Sequence, residues 1–180
     1  MRVLADEAAV AMQRADLLAR LDELTRTDDL TGLPNRRAWD ELLRHELASA
    51  QRHGHPLSVA MLDLDHFKRY NDERGHLAGD QLLRQAATVW TQQLRATDVL
   101  ARWGGEEFAL LLPACDGHEA AHLVERLRGT LPHHITFSAG IATGDGSEAP
   151  RSLLDAADAA LYEAKAGGRD QIVVDAPLAR

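Results

Sequence analysis

The chain has 180 residues, 45% of them hydrophobic and 27% charged, with a formal net charge of −8. These values suit one globular domain with at most an appendage. They exclude a collagen-like, disulfide-scaffold or wholly disordered chain, and the acidic balance argues against general nucleic-acid binding. No apolar run approaches the ~18 residues of a membrane span. Asp6 and Glu7 come too early for a secretory leader. The single cysteine, Cys115, permits no internal disulfide, which fits a reducing, cytoplasmic setting.

Residues 1–26 read as one helix outside the globular part. Val3, Val10, Leu17 and Leu24 recur every seven residues, with Leu4, Ala11 and Leu18 beside them. That is a heptad-like stripe, although Glu7 and Arg14 interrupt its second row. Such a stripe can pack on its own domain. The preferred expectation is a connector that pairs with a second copy of itself. The pattern begins abruptly at Met1, which predicts an upstream sensor domain absent from this sequence.

Residues 27–34 carry turn chemistry. Asn35 caps a helix running to about His53, where Gly54 and Pro56 stop it. Residues 57–64 form an apolar, β-compatible run ending in Asp63 and Asp65. A short polar helix over 67–73 and a longer one over 80–94 follow. Residues 99–103 and 108–112 read as a β-hairpin joined by Gly104-Gly105-Glu106-Glu107. The remainder reads as helix over 119–131, strand over 135–142, helix over 152–166 and a last strand over 171–174. The fold class is α/β (α+β), with a mixed sheet covered by helices.

Asp63 and Asp65 lie two apart at a strand end and so project from one face. Glu106 and Glu107 sit in a hairpin whose glycines admit close approach to the backbone. As strand neighbours they point to opposite faces and cannot play equivalent roles. Two converging acidic strand ends would suit Mg²⁺ or Mn²⁺ and phosphoryl or nucleotidyl transfer. On the residues alone, solvated loop ends explain the same acids equally well.

Gly104-Gly105-Glu106-Glu107-Phe108 resembles the signature of the GGDEF family, the diguanylate cyclases. Residues 28–37 (DDLTGLPNRR), 63–68 (DLDHFK), 71–80 (NDERGHLAGD), 137–142 (FSAGIA) and 164–169 (AKAGGR) resemble further family motifs, in the right order. The likeness divides the chain into a signalling helix over 1–26, a GGDEF domain over 27–176 and a tail over 177–180. It implies a central mixed sheet of about five strands, related to nucleotidyl cyclases and polymerase palm domains. It also implies condensation of two GTP into cyclic di-GMP, with release of two pyrophosphates, across a homodimer.

By the same resemblance, Asp63 and Glu106 would bind Mg²⁺ (or Mn²⁺), with the Leu64 carbonyl as a further ligand. Glu107 would either join the metal or assist hydroxyl deprotonation. Asn71 and Asp80 would read guanine. Lys68, Lys165 and Arg169 would contact the triphosphate, with Phe67, Gly104 and Gly105 also lining the substrate. Arg95-Ala96-Thr97-Asp98 resembles the family's RxxD inhibitory site for cyclic di-GMP, with Arg126 as a secondary contact. The alternative function is a catalytically silent receptor that binds cyclic di-GMP or GTP.

His118-Glu119-Ala120-Ala121-His122 is a literal HExxH, but no convincing third zinc ligand follows at family spacing. Asp63-x-Asp65 is not an EF-hand, because Phe67 and Lys68 stand where a ligand and the glycine belong. Trp39, Trp90 and Trp103 read as packing residues and the remaining histidines as surface.

Overall fold

The computed structural model describes residues 26–132 and 135–175. The helix expected over 1–26 lies outside the described residues, apart from its last residue, and so does the tail over 177–180. The described elements are α1 (Arg36–His53), β1 (Leu57–Leu64), α2 (Phe67–Arg74), α3 (His76–Thr91), β2 (Val99–Gly104), β3 (Glu107–Pro113), α4 (Gly117–Leu127), β4 (Phe137–Gly144), α5 (Pro150–Ala166) and β5 (Ile172–Val174).

The strands form one five-stranded mixed sheet in the order β2-β3-β1-β4-β5. Only the β4–β5 pair is parallel. β1 is central and covered on both faces, which is why it reads as a near-continuous apolar run. Its one buried hydroxyl, Ser58, donates to the Cys115 carbonyl at 2.8 Å and meets Thr143 Oγ1 at 2.7 Å.

Strand alternation sorts the core into two layers. Ala60, Leu62, Leu64, Phe108, Leu110, Phe137 and Ile141 pack with α2, α3 and α4. Leu57, Val59, Met61, Ala109, Leu111 and Ala142 pack with α1 and α5. Trp39 and Trp90 are fully buried, one in each layer.

Local chemistry sets most boundaries. Asn35 accepts from Ala38 N at 3.0 Å, and Gly54 closes α1 in the left-handed region at φ 67°. Two boundaries differ from expectation by four residues, the largest displacements. α3 begins at His76, four residues early, because Gly75 ends α2 at φ 84° and turns the chain straight into the next helix. α4 ends at Leu127, because Arg128 is extended and Gly129 takes φ 73°.

Candidate active site

The β1–β3 register sets Asp63 opposite Glu107, and the β1–β4 register sets Asp63 opposite Ser138. All three therefore stand in one row on the face covered by α5. The hairpin turns through Gly105, at φ 50°, and Glu106. Leu64 N donates to the Glu106 carbonyl at 3.3 Å. Asp63, Leu64, Glu106 and Glu107 are thus gathered at one end of the sheet. Beside Gly104 and Gly105 there is open space where side chains would otherwise stand.

Lys165, in the last turn of α5, places Nζ 2.8 Å from Asp63 Oδ2. The Glu107 carboxyl is raised above its ordinary range, first by burial and then by the Asp63 charge, with Lys165 opposing. Among the described residues no three carboxylate, imidazole or thiol groups converge into a ready cation cage. Magnesium is commonly held by one or two carboxylates plus substrate phosphates, and the gathered donors fit that mode.

Three supports escaped the sequence reading. Arg102 donates from Nη1 to both Asp28 oxygens, at 3.1 and 3.0 Å, and from Nε and Nη2 to the Gly105 carbonyl, at 3.1 and 2.8 Å. It therefore latches the 27–34 turn to the hairpin. Burial alone would raise the Asp28 carboxyl, but hydrogen bonds from Thr31 and then Arg102 hold it below its ordinary range. Asp65, only 4% exposed, accepts from Thr136 Oγ1, Ser138 Oγ and Asp170 N. Gly79 is buried in the first turn of α3, where a Cβ would collide with Asn71 Oδ1. An Asp-x-x-Thr turn at 28–31 was the one local hint; Asp28 lies 74 residues from Arg102, and the partners of Asp65 lie 71 to 105 residues away.

Asn71 lies on α2 against this first turn of α3, which also carries Asp80. Its Oδ1 is buried and has no hydrogen-bond partner. Lys68 is exposed on α2, and Arg169 is exposed in the turn after α5. The Phe67 side chain is buried in the core, leaving only its backbone for a ligand.

Arg95, Asp98 and Arg126 lie elsewhere. Arg95 N donates to Asp98 Oδ2 at 2.9 Å, and Asp98 N donates to the Arg95 carbonyl at 3.1 Å, closing a tight turn. Arg126 reaches across from α4 to donate to the Gln93 carbonyl at 3.0 Å. This cluster precedes β2, whereas the Gly104 turn follows it, and the strand separates them by roughly 20 Å.

Within the HExxH segment, Glu119 completes a capping box with Asp116 at the start of α4. His118 and His122 are exposed, with their Nε2 atoms 3.2 Å apart. Burial pushes the Cys115 thiol up to about 11, which removes it as a nucleophile at neutral pH. No described helix is long and apolar enough to cross a membrane.

Comparison with known proteins agrees with this fold. Residues 25–171 match the family described as "Diguanylate cyclase, GGDEF domain". Over 154 residues, 80% of its length, the chain is 48% identical to diguanylate cyclase DgcP of Pseudomonas aeruginosa. It spans only 14% to 34% of the length of the first curated relatives it matches. Diguanylate cyclase SiaD of P. aeruginosa, in a structure with its activator SiaC, superposes with a TM-score of 0.78 at 39% identity, over 96% of this chain and 70% of that one. The coiled coil and GGDEF domain of DgcB from Caulobacter crescentus, in complex with c-di-GMP, superposes with a TM-score of 0.77 at 34% identity, over 95% and 96%. With the family match covering four of the five strands, the hairpin and the acidic row, the chain belongs to the diguanylate cyclase GGDEF-domain family.

Proposed function

We propose that this chain condenses two GTP molecules into cyclic di-GMP with release of two pyrophosphates, one GTP held by each of two facing copies. The observation that carries this reading is the Asp63–Glu107 cross-strand pair, with Lys165 on Asp63 beside an open Gly-Gly turn. That end of the sheet offers hard oxygen donors, a cation and room for phosphates.

Asp63, Glu106 and the Leu64 carbonyl would hold a divalent cation. When bound, the cation would neutralise charge on the transferring phosphoryl group. Glu107 either shares the cation or accepts the proton of the attacking 3′-hydroxyl. Its raised carboxyl suits the second task, since a base works best near the operating pH. Lys68, Lys165 and Arg169 pair with the triphosphate. Asn71 and Asp80 read the guanine edge.

One domain orients one nucleotide, so the 3′-hydroxyl held by one copy attacks the α-phosphate held by the other. The heptad stripe over 1–26 serves as the dimerising connector, and the likeness to the DgcB coiled coil and GGDEF domain supports that role. The Arg95–Asp98 turn, with Arg126 reaching the same loop, takes cyclic di-GMP as an inhibitor. GTP chemistry of this kind belongs in the cytoplasm.

The test is GTP turnover with Mg²⁺ over a range of protein concentrations, with products separated by chromatography. Cyclic di-GMP should appear with steeper-than-linear dependence on protein, and Arg95→Ala should relieve its inhibition by added cyclic di-GMP. Tight cyclic di-GMP binding without product, removed by Arg95→Ala, would favour a receptor or an idle fragment, and forced dimerisation would separate those two.

A further inference from the structure

The turn after α5 is held in an uncommon shape. Arg169 and Asp170 both adopt left-handed backbone, at φ 65° and 46°, directly after Gly168 at φ 118°. Consecutive non-glycine residues in this region are unfavourable and persist only where their surroundings over-determine them.

Those surroundings are specific. Asp170 N donates to Asp65 Oδ2 at 3.0 Å. On the other side, Arg128 Nη2 donates to the Asp170 carbonyl at 2.7 Å and to its Oδ1 at 2.9 Å. Arg169 N closes back onto the Ala164 carbonyl at 3.1 Å. Asp65 is itself immobilised, buried with Thr136 Oγ1 at 2.8 Å and Ser138 Oγ at 2.7 Å. Two residues away, Asp63 holds Lys165 Nζ. The segment 165–170 is therefore pinned to the segment 63–65 at two points, and exposed Arg169 lies between those points in sequence.

We propose that Asp65 is a positioning residue: with Arg128 it clamps the turn over 167–170 and so presents Arg169 to the triphosphate of GTP beside Asp63 and Lys165. Asp65 touches no reacting atom; it acts through the backbone of Asp170. The inference rests on the cyclase reading for the identity of the ligand, but not for the clamp itself.

The test is a double-mutant cycle. A GTP analogue with a non-scissile α–β bridge, and GMP, are titrated by calorimetry into the wild-type chain, Asp65→Asn, Arg169→Ala and the double variant. Asp65→Asn should weaken the analogue by about tenfold and leave GMP unchanged. In the Arg169→Ala background it should cost nothing further. An equal loss in both backgrounds, or an equal loss for GMP, would overturn the proposal, because general destabilisation does not act through one guanidinium. Should Asp65→Asn fail to fold, Arg128→Gln replaces it in the same cycle, where the same pattern of losses supports or overturns the clamp. If the wild-type chain binds no nucleotide, the cyclase reading fails, and the clamp is judged by amide exchange. Faster exchange at Asp170 in Asp65→Asn or Arg128→Gln supports the clamp, and unchanged exchange refutes it.

Discussion

Under α2, α3 and α4 the sheet is closed by large rings. Trp90 meets Phe108 and Phe137 edge-on, each pair with centroids 5.1 Å apart. Under α1 and α5, where Trp39 meets Trp103 edge-on, the small groups Ala101, Ala109, Ala142 and Gly140 stand among Leu57, Val59, Met61 and Leu111. At Gly140 a Cβ would run into the α5 backbone at Ala157 and Leu161, so the helix rides almost on the strand. That close approach brings the last turn of α5, with Lys165, onto Asp63. The first face supplies bulk and carries the base-reading candidates Asn71 and Asp80 on its helices. The second gives up bulk at Gly140 for proximity to α5 and carries the charges. The aromatic cluster and the charged row thus sit on opposite sides of one sheet, and four substitutions can break or sharpen that division.

The largest effect belongs to the charged row. Asp63→Ala should cut turnover by on the order of a thousandfold while the melting temperature stays within a few degrees. Substantial turnover would remove Asp63 from the chemistry. Trp90→Ala should do the opposite, costing about 3–5 kcal/mol in chemical unfolding with KM for GTP retained in the folded fraction. A raised KM would show that the aromatic face sets the site as well as the stability.

Gly140→Ala should cost about 1–3 kcal/mol and also raise KM, because α5 must retreat from β4 and take Lys165 with it. A pure stability loss would mean that Lys165 reaches Asp63 without the close contact.

The smallest effect is electrostatic. Folding raises the proton affinity of Glu107, so the native state binds more protons than the unfolded one, and stability falls as pH rises through the window between the ordinary and the raised value. Glu107→Gln should therefore raise the melting temperature at pH 8, and the gain should vanish below the ordinary glutamate range. No gain at pH 8 would show that Lys165 already compensates the charge.

Several features were legible in the sequence because their causes are local. The run over 57–64 is β1 to the residue, since a central strand buried on both faces must be apolar throughout. Asn35 and Gly54 bracket α1 by satisfying backbone groups within a few residues. The glycine-bearing hairpin and the acids around it carried both the chemistry and the family likeness. What stayed hidden was which acid faces which: the β1–β3 register sets Glu107 opposite Asp63. The division of labour between Asp63 and Asp65 was equally invisible, because two aspartates on one face read alike until one meets a lysine and the other three donors.

By itself, then, the sequence determined the elements, their caps and the residue types at the site, all governed by interactions spanning a few positions. Only the tertiary structure decided the strand register, the Arg102 latch to Asp28, 74 residues away, and the Asp65 hold on Asp170, 105 residues away. Such pairings depend on how the strands and helices close on one another in space, and no local periodicity or propensity records them.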